Sequence, residues 1–151
     1  MDKLEVLRKS DLFRGLSDEQ LGVVGKMCTS EVFEPGAIIC KQDRKQERIY
    51  VIEAGLVGIF IELGPLSQRQ IQAASNFETF GWSAMIEPYF CSATAKALEK
   101  TKVLAFKGQE LCSLCDSKPG IGCKVCRAVA RIVATRLRHA FTQCLGVTYQ
   151  E

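Results

Sequence analysis

The chain has 151 residues, of which 47% are hydrophobic and 25% are charged, and its formal net charge at pH 7 is +3. A chain of this size and composition forms one domain with an apolar core and needs no disulfide bonds for stability. No segment approaches the roughly 20 apolar residues of a membrane span, and the N-terminus lacks the apolar stretch of an export signal. We therefore expect a cytoplasmic protein that does not enter a membrane.

Two features of composition vary along the chain. Eight cysteines are present, and in a cytoplasmic protein they are expected to be thiols, metal ligands or small hydrophobic residues. Residues 1–95 hold 10 Lys or Arg and 13 Asp or Glu, whereas residues 96–151 hold 10 and 4. The excess of positive charge therefore lies at the C-terminal end.

The N-terminal part of the chain, residues 3–28, is predicted to be helical. The segment from Ser17 to Gln20 reads Ser-Asp-Glu-Gln, which is a capping box that satisfies backbone donors at the start of a helix. Leu16 and Leu21 flank this segment and form a hydrophobic staple. A second helix is therefore expected to begin after Ser17.

After Glu31, short apolar segments alternate with turn residues, a pattern typical of an antiparallel β domain. The clearest pair of strands is predicted between Ile49 and Glu62, on either side of Gly55. Further turns are predicted at 34–36 and 64–65, and further strands at 70–74, 92–97 and 103–106.

The sequence becomes helical again at Gly108, and Pro119 suits the first turn of a long helix that reaches about Leu145. One apolar stripe on this helix, with 4-3-4-3-4 spacing, consists of Cys126, Ala130, Val133, Leu137, Ala140 and Cys144. A neighbouring stripe consists of Val125, Val129 and Ile132. The two form either one wide stripe packed on the β domain or separate faces for two partners. We expect the second arrangement, with a homodimer through residues 124–145.

The segment of residues 80–97 reads FGWSAMIEPYFCSATAKA. Gly81 permits a tight turn, and a short helix that opens at Trp82 would point backbone N–H groups at an anion. The segment resembles the phosphate-binding cassette of the cyclic nucleotide-binding domain family, as in catabolite-activator-type regulators. Similar matches lie at 12–17, 33–36, Asp43, 49–57, 98–101 and 136–137.

The resemblance implies a mainly β fold with flanking helices. This fold is a double-stranded β-helix, or jelly-roll-like β-roll, with N-terminal helices and a long C-terminal helix. The expected single domain, 1–151, has helices at 3–28, the roll at 31–107 and C-terminal helices at 108–145. A DNA-binding regulator of this family carries a helix-turn-helix after the last helix, whereas this sequence ends at Glu151. The resemblance is therefore to a stand-alone sensor domain, with a truncated regulator as the alternative that stays open. We expect no direct nucleic-acid binding, and the basic residues of the last helix are interpreted as a solvated face.

In the family, a Glu directly after Phe-Gly takes the ribose hydroxyl, and an Arg before Ser-Ala-Thr pairs with the cyclic phosphate. Trp82 and Cys91 occupy those positions here. Loss of both contacts weakens binding by about 3–6 kcal/mol, which moves a micromolar site to roughly the millimolar range. Cyclic AMP or cyclic GMP binding is therefore expected to be weak, altered or absent. The candidate ligand-binding residues are Phe80, Gly81, Trp82, Ser83, Ala84, Cys91, Ser92, Thr94 and Phe141.

Two interpretations of such a cassette remain open. In the first, the ligand is a cyclic nucleotide or another small anionic or apolar molecule, held by the helix terminus and the hydroxyls of Ser83, Ser92 and Thr94. Lys96 would serve as a substitute cation only if its strand turned it inward. In the second, the domain is a ligand-free structural or protein-interaction module, and its former cavity is filled by aromatic residues. These residues are Trp82, Tyr89 and Phe90.

Four cysteines form a CxxC-x7-CxxC array, which suits zinc or an iron-sulfur cluster in a metal or redox sensor. They are Cys112, Cys115, Cys123 and Cys126. Both pairs fall within predicted helices, where buried cysteines act as small hydrophobic residues, so we expect no metal and no resident cofactor. His139 is the only histidine, conceivable as a haem ligand but without an acidic partner for a catalytic triad. No catalytic residues are identified, and the chain is not expected to be an enzyme.

Overall fold

The computed structural model describes residues 2–145, which form four α-helices, eight strands and one 3-10 helix. The N-terminal helices are α1 (Lys3–Lys9) and α2 (Asp18–Gly25). The strands are β1 (Thr29–Phe33), β2 (Ile38–Cys40), β3 (Arg48–Ala54), β4 (Val57–Gly64), β5 (Ser67–Ala74), β6 (Thr79–Phe80), β7 (Thr94–Ala97) and β8 (Thr101–Lys107). The 3-10 helix (Trp82–Met85) lies between β6 and β7, and α3 (Gly108–Ser117) and α4 (Pro119–Leu145) end the described chain.

The strands form two four-stranded antiparallel sheets. The first sheet has the order β1-β8-β3-β6 and the second has the order β2-β7-β4-β5. The two sheets face each other in a jelly-roll-like arrangement, and helices lie at both ends of the chain. The predicted fold class, mainly β with flanking helices and a long C-terminal helix, is confirmed.

The prediction of a strand pair between Ile49 and Glu62 is wrong in one respect. β3 and β4 are both present, but β3 belongs to the first sheet and β4 to the second, so they do not pair with each other. Gly55, at a φ of 134°, turns the chain from one sheet to the other. The periodicity of apolar residues and the positions of turn residues identify strands from sequence. The partner of each strand depends on the rest of the fold.

The central strand β3 is buried on both of its faces. Ile49 and Val51 point to a core formed with the four α-helices, whereas Tyr50 and Ile52 point to a second core between the sheets. Because alternate residues of a strand face opposite sides, burial on both sides requires an unbroken apolar run. The sequence from Ile49 to Ile52 provides one.

The helix α2 begins where the sequence predicts, after Ser17, but it ends at Gly25 and not at residue 28. The Gln20 backbone N–H donates to the Ser17 hydroxyl at 3.2 Å, and the Ser17 N–H donates to the Gln20 side-chain oxygen at 3.0 Å. The predicted capping box is therefore confirmed. Leu16 and Leu21 are buried beside it and fix the entry of the chain into α2.

The two apolar stripes of α4 have different surroundings. Val125, Val129 and Ile132 are buried in the helical core, so this stripe packs on the domain. In the other stripe, Val133 packs against the helical core and Ala140 is half-buried, whereas Cys126, Ala130, Leu137 and Cys144 are exposed. This stripe therefore packs on the domain at some positions and is exposed at the others. The contact of the exposed stripe with a second subunit stays a prediction.

We predict that Gly55→Ala lowers the free energy of unfolding by about 2–4 kcal/mol, since it adds both a strained backbone angle and a clash. A Cβ at this position would lie 2.7 Å from the Thr101 Cα. The measurement is urea unfolding followed by circular dichroism. Gly64→Ala is the matched control, because nothing lies within 4 Å of its Cβ position, and equal stability of the two variants would contradict the prediction.

Candidate functional site

A cavity of about 230 Å³ lies between the second sheet, the segment of residues 80–97 and α4. Its wall on the sheet is aliphatic, with Ile59 and Ile61 from β4 and Ile71 from β5. Val133 and Leu137 close it from α4. Such a wall favours an apolar ligand, and the few polar groups present determine how the ligand is oriented.

The local geometry of the cassette follows from Gly81. Its φ is 80°, and a Cβ would lie 2.9 Å from the Arg48 carbonyl oxygen, so glycine is the residue that fits here. The 3-10 helix starts at the next residue, Trp82, as predicted. Phe80, just before the turn, is held by stacking on Tyr50 at a ring-centroid distance of 5.0 Å. The cassette backbone is therefore fixed by packing that requires no ligand.

Six of the nine predicted ligand-binding residues line the cavity. They are Phe80, Gly81, Trp82, Ser83, Cys91 and Ser92. The other three do not line it. Ala84 packs into the helical core, Thr94 donates to the Glu62 carboxylate at 2.9 Å, and Phe141 is 59% exposed on α4. For Thr94 the reason is the alternation of a strand, because its neighbours Ala93 and Ala95 are the residues that face the cavity.

The aromatic residues expected to fill the cavity leave it open. Tyr89 and Phe90 do not line it, and Phe90 is 54% exposed. Trp82 lies at the cavity wall but packs against the helical core. Lys96 does not enter the cavity either, since its ammonium lies 5.0 Å from the centroid of the Phe60 ring. The interpretation of a filled cavity is therefore wrong for Tyr89 and Phe90, and Lys96 is not the substitute cation.

Arg136 is the polar residue that sequence reasoning missed at this site. It extends from α4 into the cavity wall, where one guanidinium nitrogen donates to the Thr79 carbonyl oxygen at 2.6 Å. The other terminal nitrogen lies 3.4 Å from the Gln72 side-chain oxygen, and the Gln72 amide donates back to the Arg136 carbonyl at 2.8 Å. The sequence identified Arg136 only as part of a family match, because a basic helix gives no sign of which arginine turns inward.

The Arg136 guanidinium has no carboxylate within ion-pairing distance in residues 2–145. Burial lowers its pKa from the ordinary value, and the more distant charges of Glu78 and Asp11 oppose this change. Both of its hydrogen-bond acceptors are neutral. The cavity wall therefore carries a half-buried positive charge that its neighbours only partly compensate.

Two thiols, Cys40 and Cys91, also belong to the cavity wall. Interaction with the Cys40 side chain lowers the pKa of Cys91, although burial opposes the change. Interaction with Cys91 and burial raise the pKa of Cys40. The Cys91 thiol donates to the Gln46 side-chain oxygen at 3.1 Å. The two pKa values therefore change in opposite directions, and Cys91 is the more acidic thiol.

The predicted cysteine array does not come together as a four-thiolate site. Burial together with the nearby thiols of Cys126 and Cys112 raises the pKa of Cys115 to about 12. Cys123 is exposed, and within residues 2–145 no three His, Cys, Asp or Glu side chains are placed to hold a metal ion. His139 is exposed and lies outside the cavity wall. The array therefore gives no support to a metal sensor.

The structure is a β-roll in which the cassette turns at Gly81 and α4 lies beside the cavity. This geometry agrees with sequence comparison. The model of a family described as "Cyclic nucleotide-binding domain" matches residues 30–118, which is more than half of the chain. The chain belongs to the cyclic nucleotide-binding domain family. Within this family it is 25% identical, over 146 residues, to the cyclic AMP receptor protein of Thermus thermophilus. That match covers 96% of this chain.

Solved structures extend the comparison to the whole fold. A catabolite activator protein from Thermus thermophilus superposes with a TM-score of 0.75 at 25% identity, over 89% of this chain and 62% of the other. A cyclic nucleotide-binding domain from Methylobacillus flagellatus gives 0.82 at 20% identity, over 98% of this chain and 83% of the other, and it shows the fold alone.

This chain spans only part of the curated relatives that it matches. It covers 65% of the Thermus thermophilus receptor and 27% of a second relative, from Rhodopseudomonas palustris. Separately, none of the helices in the described part of the chain has the length and apolar character needed to cross a membrane.

Proposed function

We propose that this chain is a non-catalytic, ligand-sensing regulatory domain whose ligand is a small apolar anion instead of a cyclic nucleotide. The observation that carries the proposal is the Arg136 guanidinium, which lies in the wall of an apolar cavity without a carboxylate partner in residues 2–145. A ligand carboxylate would supply the missing negative charge. The aliphatic wall would bury the rest of the ligand.

The hydrogen-bonding capacity of arginine supports this ligand class. A guanidinium has five N–H donors, and among the described residues Arg136 uses two nitrogens on neutral acceptors. The remaining donors suit a carboxylate, which accepts from an arginine in a planar geometry. The hydroxyls of Ser83 and Ser92, both at the cavity wall, offer further donors.

The sequence of the cassette supports the proposal that cyclic nucleotides bind weakly or not at all. Trp82 and Cys91 occupy the positions at which the family resemblance expects an acid for the ribose and an arginine for the phosphate. Neither side chain can replace those charged hydrogen bonds. The positive charge available to a ligand therefore comes from α4 instead of the cassette.

The proposed mechanism is a population shift of α4. A ligand that contacts Arg136 on the helix and Ser83 on the cassette binds best when the helix lies over the cavity, so it stabilises that arrangement. The exposed stripe of α4 would carry the signal to a second subunit in a homodimer through residues 124–145. Reduced thiols suit the cytoplasm, where we place this sensor.

We predict that 1-naphthoate binds the wild-type protein about 10- to 150-fold more tightly than the neutral isostere 1-naphthamide. The difference corresponds to a charged hydrogen bond of about 1.5–3 kcal/mol. Isothermal titration calorimetry measures both affinities directly. In Arg136→Gln the carboxylate should lose its advantage while the amide keeps its affinity.

The control for this experiment is Arg131→Gln, an exposed arginine on the same helix that does not line the cavity. It should preserve the preference for the carboxylate. Equal affinity of the two naphthalenes for the wild-type protein, or an equal loss of preference in the two variants, would refute the role of Arg136.

We predict that the double variant Trp82→Glu, Cys91→Arg gains affinity for cyclic AMP or cyclic GMP by roughly 100-fold or more. The two new groups restore hydrogen bonds that together contribute about 3–6 kcal/mol. Calorimetric titration of the wild-type, single and double variants measures the gain, and each single variant should recover part of it. Micromolar binding already present in the wild-type protein would show that the cassette is not degenerate.

We predict that the wild-type protein is a dimer and that Ala130→Glu, Cys144→Glu is a monomer, because the substitutions place like charges on exposed positions of this stripe of α4, outside the cavity wall. Sedimentation equilibrium measures the mass. Leu66→Glu is the control, since Leu66 is fully exposed on the turn after β4 and should leave the dimer unchanged. A monomeric wild-type protein would remove the dimer from the proposal.

A further inference from the structure

Two cysteine thiols meet in the wall of the cavity, although they are 51 residues apart in the sequence. Cys40 is the last residue of β2, and Cys91 lies in the bend before β7, the strand that pairs with β2. Their exposed fractions are 4% and 5%, and both border the cavity. Both side chains belong to the same buried cluster between the sheets, and each thiol shifts the pKa of the other, so the two side chains are neighbours.

We propose that Cys40 and Cys91 are a modification site at which a hydroperoxide that enters the cavity converts the two thiols into a disulfide. The proposal goes beyond ligand sensing and does not depend on which molecule the cavity binds. It rests on the adjacency of the thiols, on their position at the cavity surface and on the contacts of each sulfur.

The reaction balances with one hydroperoxide as the oxidant. The Cys91 thiolate attacks one peroxide oxygen, the O–O bond breaks, and the leaving oxygen takes a proton to give water from hydrogen peroxide. Cys91 is then a sulfenic acid. The Cys40 sulfur attacks the Cys91 sulfur, the S–S bond forms, and the sulfenic oxygen leaves as water with the Cys40 proton. Two thiols lose two electrons, and one peroxide gains them.

The contacts assign different roles to the two sulfurs. The Cys91 sulfur interacts with the Cys40 side chain and with the backbone N–H groups of Cys91 and Lys41, which favour its thiolate. These interactions lower the pKa of Cys91, whereas burial raises the pKa of Cys28 and Cys112. Because the thiolate is the nucleophile, Cys91 reacts first and Cys40 resolves the sulfenic acid.

A second pair of cysteines provides an internal comparison. Cys115 and Cys126 are also neighbours, but burial and the nearby thiols raise the pKa of Cys115 to about 12. Neither of them borders the cavity. With one equivalent of a small peroxide, the cavity pair should therefore be oxidised before this helical pair.

The experiment uses the wild-type protein with one equivalent of hydrogen peroxide, followed by alkylation of the remaining thiols with N-ethylmaleimide. Digestion with trypsin and Glu-C under non-reducing conditions separates Cys28 from Cys40, because Glu31 lies between them. Mass spectrometry should find a peptide ending at Lys41 linked to a peptide ending at Lys96, and dithiothreitol should release both. Alkylation of Cys40 and Cys91 while Cys115 and Cys126 are linked would overturn the proposal.

Variants test the order of the two steps. In Cys40→Ser, the Cys91 sulfenic acid has no resolving thiol and should be trapped by dimedone at least tenfold more than in the wild-type protein. Cys28→Ser is the matched control, since Cys28 is also buried but lies outside the cavity wall, and it should keep the linked peptides. Dimedone labelling of Cys40 in Cys91→Ser, at the rate seen for Cys91, would contradict the assigned roles. Peptide mapping of the wild-type protein decides the proposal even if a variant does not fold.

Discussion

The burial of β3 on both faces is the constraint on which the rest of the structure depends. Ile49 and Val51 anchor the helices, and Tyr50 and Ile52 anchor the interior of the roll, so one strand belongs to two cores. Tyr50 stacks on Phe80, which leads directly into the Gly81 turn. The shape of the cassette is therefore set by apolar packing behind it. This explains how the backbone is kept while polar residues of the cassette differ from those of the family resemblance.

The helix α4 is held more firmly in its first half than farther along. The first half is held by Val125, Val129 and Ile132 in the helical core, where apolar burial contributes roughly 1.5–3 kcal/mol per large side chain. Farther along, Arg136 joins the helix to β6 through the Thr79 carbonyl, and the Thr79 hydroxyl in turn donates to Asp11. Leu137 and Phe141 beyond it are exposed. A ligand beside Arg136 would therefore act beyond the part of the helix that the buried core residues hold.

The sequence predicted those features that depend on local patterns. The Ser17 capping box, the strands, the break at Pro119 and the turn at Gly81 follow from residue types that leave few alternatives. The partner of β4 and the inward direction of Arg136 could not be predicted, because they depend on how distant elements pack. The strand that contains Thr94 was predicted, but Thr94 does not line the cavity. The sequence does not show which of the two strand faces meets the cavity.

The location of the positive charge changes how ligand binding and helix position are coupled. A cation on the cassette strengthens binding equally for every arrangement of α4, unless other contacts differ. A cation on α4 itself contributes its ion pair only when the helix is in place, so all of that interaction discriminates between the two arrangements. With about 1.5–3 kcal/mol for the charged hydrogen bond, the proposed ligand, bound through Arg136, would shift the helix equilibrium by roughly 10- to 150-fold. Under the proposed function, Cys91 in the place of the family's arginine would lower affinity for a phosphate, and Arg136 on α4 would strengthen the link between ligand and helix.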